Sequence, residues 1–334
     1  MILGRKNMVF RWINSFWKTF FWYDRNFKTG RKLNGLLLLL GLGYKWRYKI
    51  VRNFKIIKRP INSWNRIKHA KPILESSQKL LSLNNGFSLF NMNEIPNGRK
   101  TLTTLTTLWK QRSKNPLPEM DWLNKSPQPL SLRNCLVQKD FIDYPEIGRL
   151  ATCDLFLHSA TKYLSAVPTL ATIQLLWSVV DDSMTGSQQY HIDEEDKSQI
   201  KFYIALTDIN EESGPTHFIP KSLSSKIKQS VIISAKRDTR MVHSTTGRVS
   251  DSTIHSLVKK TDIKVATCQA GQGYAVDTAQ CFHMGSRVKK GERAILLIQY
   301  LPYNTHQESS GSLPNIDPKN YSDSPITLLA LERY

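Results

Sequence analysis

The sequence predicts a mainly β fold with flanking helices, an α+β arrangement whose core is an antiparallel double sheet of jelly-roll type, the double-stranded β-helix. Three observations carry this. A helical block over 147–164 precedes seven short segments rich in β-branched and aromatic residues, an order that argues against alternating βα units. Turn-forming clusters separate the segments, notably Asn210 to Gly214 and Ala270 to Gly273. His191 and Asp193 on one predicted strand are answered by His283, 92 residues downstream (191 to 283). A jelly roll closes such a gap, because remote strands face one another across its mouth.

The chain has 334 residues, enough for one large domain or a domain with an extension. Its formal charge of +20 is unevenly spread. Residues 1–115 hold 24 Lys and Arg against Asp24, Glu75 and Glu94, whereas the remainder carries 23 basic and 24 acidic side chains. The basic excess therefore belongs to an N-terminal extension at 1–115, partly helical and rich in aromatics. Within it, Val9, Trp12, Ile13, Phe16, Trp17, Phe20 and Tyr23 recur at helical spacing opposite Arg11, Lys18 and Arg25. Such a helix over 9–27 suits peripheral contact with an anionic membrane and equally suits packing on the body of the protein. Alternative starts at Met8, Met92 and Met120 leave the length of the extension open. The Thr-Leu stretch at Thr101 to Leu108 reads as local bias without a structural repeat. No nucleic-acid-binding module accompanies the charge, so no specific nucleic-acid partner is expected.

A Pro-rich linker at 115–129 leads into the main domain at 116–303, and 304–334 reads as a tail. The helical block carries Ile147, Leu150, Leu155, Leu157, Thr161 and Leu164 and ends near Pro168. Strands follow at Thr172 to Val180, Gln188 to Asp193, Ile200 to Thr207, Thr216 to Ile219, Ile263 to Cys268, Gly273 to Val276 and Ala294 to Leu301. Cys135, Cys153, Cys268 and Cys281 form no metal-binding or redox pair. The apolar run Leu36 to Gly43 is too short to span a bilayer and lacks a secretory cleavage site. A cytoplasmic setting follows.

A His-x-Asp tripeptide alone arises readily by chance. Here it lies on a predicted strand, where i and i+2 share a face, and a second His and then a basic residue follow. His191, Asp193 and His283 supply a 2-His-1-carboxylate set, which caps one side of an octahedral Fe(II) and leaves positions open for substrate and dioxygen. An Arg at the head of the last strand suits a dicarboxylic co-substrate. His217 reads as a paired interior residue, and His243 and His255 as exposed. Asp181 and Asp182 read as turn formers. The polar insert at 224–260 is the expected lid.

Two stretches, QQYHIDEEDKSQIKFYIALTDINEESGPTHFIPKS from Gln188 and GQGYAVDTAQCFHMGSRVKKGERAILLIQY from Gly271, resemble the phytanoyl-CoA dioxygenase family of Fe(II)- and 2-oxoglutarate-dependent oxygenases. The likeness covers about 145–303. It implies a cupin-like core, and iron ligands at His191, Asp193 and His283. It also implies that Arg293 holds the distal carboxylate of 2-oxoglutarate and that Tyr203 lies beside that co-substrate. Arg293 stands ten residues after His283, where relatives often have eleven, which leaves Arg287 and Lys201 as alternative anchors. Pro220-Lys221-Ser222-Leu223 replaces the usual Pro-Gly-Ser-His. The implied reaction is hydroxylation of a C–H bond in a small metabolite using Fe(II), 2-oxoglutarate and dioxygen. The rival from another class is a catalytically silent jelly roll whose basic arm binds membrane or an acidic partner.

Overall fold

The computed structural model describes residues 44–120, 132–184, 186–193, 195–237, 248–305, 318 and 321–332, with backbone alone at 44–48, 229 and 231–237. The amphipathic segment at 9–27 and His243 lie outside the described residues. Two compact units divide the chain, residues 1–64 with 304–308, and residues 65–303 with 309–334. In the first, α1 (Tyr44–Lys58) donates from Arg52 to Asn304 Oδ1 at 2.8 Å and from Lys55 to Thr305 O at 2.7 Å. Among the described residues no helix is long and apolar enough to cross a membrane.

The second unit is built on two strands with almost no exposed position. β3 (Thr169–Val179) and β9 (Glu292–Leu301) pair antiparallel along nearly their whole length. Strands covered on both faces belong at the centre of a sheet. With β1 (Phe87–Asn91), β2 (Arg133–Asn134), β4 (Ile200–Ala205) and β7 (Gln272–Val276) they form a six-stranded antiparallel sheet in the order β1-β7-β4-β9-β3-β2. A smaller sheet has the order β6-β5-β8, from β5 (Thr216–Phe218), β6 (Lys264–Ala266) and β8 (His283–Met284).

The period of two sorts the strand side chains. Phe202, Ile204, Leu296, Ile298 and Tyr300 pack outward against helices α3 (Gly98–Lys114), α5 (Pro145–Ala151), α6 (Asp154–Leu164) and α9 (Pro325–Leu331). The alternate residues face the small sheet. Phe218 and Ala266 there join Tyr274, Val276 and Cys281 in one apolar cluster. Two antiparallel sheets face to face, with helices on the outer side of the larger, make the α+β jelly-roll core that the sequence predicts. By the same alternation, Lys201, Tyr203, Arg293 and Gln299 lie on the inner face, where Lys201 is opposite Gln299.

The structure corrects several element boundaries. The Thr-Leu stretch is helical: it lies within α3, whose Thr101, Leu105, Leu108 and Trp109 are buried. Thr is a weak helix former, and the Thr101, Thr103, Thr104 and Thr107 hydroxyls each bond back to the carbonyl four residues earlier. β1 also lies ahead of the Pro-rich stretch, paired with β7. The helical block is two helices, α5 and α6, broken at Thr152 and Cys153. The insert at 224–260 folds largely as α7 (Lys221–Arg237) and α8 (Asp251–Leu257), which help to close a second apolar cluster with Tyr190, Ile192, Phe282 and Met284. α2 (Pro60–Glu75) sends the fully buried Arg66 to Val167 O, Pro168 O and Leu329 O at 3.1, 3.0 and 2.6 Å. α4 (Asp140–Asp143) is a single turn ahead of α5.

Candidate metal centre

The expected strand at Gln188 to Asp193 makes only bridge pairs, Tyr190 with Val249 and His191 with His283. The second pair is decisive for the site. His191 N donates to His283 O at 2.9 Å and His283 N donates to His191 O at 2.9 Å. Directly opposite residues on antiparallel chains point the same way, and the two imidazole centroids lie 4.2 Å apart. Two residues on, Asp193 N donates to Thr278 O at 3.0 Å, which fixes the backbone of the third residue to the turn before His283.

Donor atoms of His191, Asp193 and His283 all lie within 4.8 Å of one another. Asp193 Oδ1 is 3.6 Å from His191 Nε2, and Oδ2 is 3.7 Å from His283 Nε2. His191 Nδ1 is 2.8 Å from Gln189 O, and His283 Nδ1 is 3.1 Å from Cys281 O. A carbonyl only accepts, so each Nδ1 carries the hydrogen and each Nε2 presents a lone pair to the centre. Burial, followed by the neighbouring His191, lowers the His283 pKa to about 3; burial also lowers that of His191. Both rings are neutral at ordinary pH, the form a metal requires. Burial alone would raise Asp193, but the Lys201 ammonium beside it holds it well below the usual carboxylate range. Two neutral imidazoles and one carboxylate fit a divalent metal of the Fe(II) type.

Lys201 Nζ is 2.7 Å from Asp193 Oδ2. Burial works against its charge, while Asp193 raises its pKa above the ordinary lysine value. Arg293 enters from the head of β9 and is 2% exposed. Its Nη1 donates to Gly214 O at 2.6 Å and its Nη2 donates to Ser286 Oγ. Its Nε is buried with no partner among the described residues. A methyl at Gly285 would lie 3.6 Å from Nη1 and 3.1 Å from Thr216 Oγ1, so the glycine lets the backbone pass close to the guanidinium. Tyr203 stacks on Tyr274 at 5.0 Å, and Tyr274 donates to Thr216 Oγ1 at 2.6 Å. Burial raises the Tyr203 pKa to about 12 and lowers that of Arg293, next to which both tyrosines lie. A buried guanidinium with an unused N–H beside two aromatic rings fits a small carboxylate.

Arg287 is otherwise engaged, with Asp251 at 2.5 and 2.8 Å and with Gln188 O at 2.6 Å. His217 lies on β5 and is partly exposed, and His255 is exposed on α8. Asp181 accepts from Ser183 N at 2.9 Å. Gln199, Thr216 and Ser286 are not singled out by the sequence. Gln199 carried a usable signal, since 199, 201 and 203 share one face of a strand.

No family model matches the chain, and no curated protein does. Among solved structures it is similar to EctD from S. alaskensis with 2-oxoglutarate and 5-hydroxyectoine, at 12% identity over 79% of this chain and 92% of that one, with a TM-score of 0.48. It is similar to the epimerase SnoN in complex with Fe3+, alpha ketoglutarate and nogalamycin RO, at 13% identity, 70% and 87% coverage and a TM-score of 0.43. HygX from Streptomyces hygroscopicus, with nickel and 2-oxoglutarate bound, matches at 13% identity, 65% and 83% coverage and a TM-score of 0.41. These are distant likenesses, and the functional reading stands on the site's own geometry.

Proposed function

We propose that the chain is an Fe(II)- and 2-oxoglutarate-dependent oxygenase of phytanoyl-CoA dioxygenase type that hydroxylates a C–H bond of a small metabolite. The carrying observation is the convergence of His191, Asp193 and His283 at one point, with His283 buried and the other two partly buried. Fe(II), with 2-oxoglutarate and dioxygen as co-substrates, supplies oxidising chemistry that no side chain can perform alone. The protein's share is placement. His191 and His283 direct Nε2 inward because their Nδ1 hydrogens are spent on backbone carbonyls. Arg293 is the residue that would receive the distal carboxylate of 2-oxoglutarate, through an Nε that has no partner among the described residues. Tyr203 and Tyr274, stacked on each other, would flank that carboxylate. The second unit, residues 65–303 with 309–334, carries all of these residues.

One observation favours a second reading. Lys201 already neutralises Asp193 at 2.7 Å, as it would in a silent jelly roll that holds no metal. A single experiment separates the two. Purified full-length protein supplied with Fe(II), 2-oxoglutarate and air should release succinate slowly without a prime substrate, and Asp193→Ala should release none. Wild-type protein that neither takes up metal nor forms succinate would leave only the silent reading.

A further inference from the structure

We propose that Gln199 is a positioning residue that reserves one oxygen of Asp193 for the protein and leaves the other for the metal. The inference rests on the metal centre proposed above. A carboxylate oxygen has two lone-pair sites. Both sites of Asp193 Oδ2 are taken, by Lys201 Nζ at 2.7 Å and Gln199 Nε2 at 3.0 Å. Among the described residues Oδ1 has no such donor, and it is the atom near His191 Nε2. The carboxylate is thereby set to bind through one oxygen. Two-point binding would occupy a further coordination position, one that an oxygenase needs for its substrates.

Gln199 can do this because its own side chain is fixed from two other directions. It is fully buried. Its second Nε2 hydrogen goes to Thr278 Oγ1 at 2.7 Å, Glu195 Oε2 standing farther off at 3.3 Å, and its Oε1 accepts from Gln299 Nε2 at 3.0 Å. Gln299 lies on β9 directly opposite Lys201. A chain of amides thus runs from the central strand of the large sheet to the ligand carboxylate. Gln199 N donates to Asp277 Oδ1 at 3.3 Å, which ties the same residue to the turn before His283.

Lys201 holds the same oxygen, but its ammonium also repels an arriving divalent cation, so replacing it mixes two opposed effects. Gln199 is neutral, and its removal isolates geometry. The test titrates Co(II) alone into the full-length protein and follows both the dissociation constant and the visible ligand-field band. Gln199→Met should weaken Co(II) binding about 10- to 100-fold, the usual effect of losing a partner of a metal ligand, and should shift the band as the carboxylate turns. A purely structural role would lower the melting temperature without moving the band. Wild-type affinity and an unchanged band in Gln199→Met would overturn the proposal. Should that variant not fold, Gln299→Met frees the Gln199 oxygen without touching Asp193, and it should show a smaller loss with the same shift; an unchanged band there overturns the idea too. Wild-type protein that takes up no Co(II) removes the metal centre and this proposal together. Co(II) binding that depends on Gln199, with no 2-oxoglutarate turnover, removes the oxygenase reading alone.

Discussion

Replacing His283 by glutamine should flatten the acid limb of the stability curve of the metal-free protein. Burial, reinforced by His191, lowers the His283 pKa from 6.5 to about 3 in the folded state. In the unfolded chain the ring titrates near its ordinary value. Between those values the unfolded chain binds a proton that the folded chain refuses, so stability falls as pH falls from about 6.5 towards 3. At ~1.4 kcal/mol per unit, moving from about pH 7.5 to about pH 5 removes roughly 2 kcal/mol through this ring alone. His191, shifted in the same direction by its own burial, adds to the slope and remains in the variant. The assay is urea unfolding with chelator at the two pH values, in wild type and His283→Gln. The wild type should lose roughly 2 kcal/mol more than the variant across the interval. Equal losses would refute the reasoning, because they would mean that the ring is hydrated and titrates normally.

Arg293→Leu should weaken 2-oxoglutarate binding to the Co(II)-loaded protein by about 100-fold or more, since charge-assisted hydrogen bonds contribute roughly 1.5–3 kcal/mol each. Calorimetric titration checks this, and an unchanged affinity would move the anchor to another cation. Arg66→Met should destabilise the second unit by about 3–5 kcal/mol, because three carbonyls that a buried cation now serves would lose their donor. Urea unfolding measures it, and a loss under about 1 kcal/mol would show that water reaches those carbonyls.

The central strands and the candidate metal ligands are legible in the sequence because both express simple periods. β3 and β9 are runs of β-branched and apolar residues, and His191 and Asp193 obey the two-residue repeat. β1 and α3 were not legible for the opposite reason. Phe87–Asn91 is a short strand of mixed burial whose place is set by its pairing with β7, a contact that no local window contains. α3 is poor in strong helix formers over its Thr-Leu stretch, and its helical form follows from burying Leu105, Leu108 and Trp109 in the main core. Arg293 could be nominated from its distance to His283, yet its partners could not. Gly214 reaches it from a loop 79 positions away in sequence, and Ser286 does so because its backbone takes a positive φ of 65°.

The reciprocal amide pairing of His191 with His283 makes alignment and chelation a single property. Sliding either segment by one position would turn an imidazole away from the other, so an ion seated between them would act as a rivet through two lengths of chain made far apart in time. Until the second length emerges and docks, a nascent chain has only a half-socket, and any loading would have to wait for it.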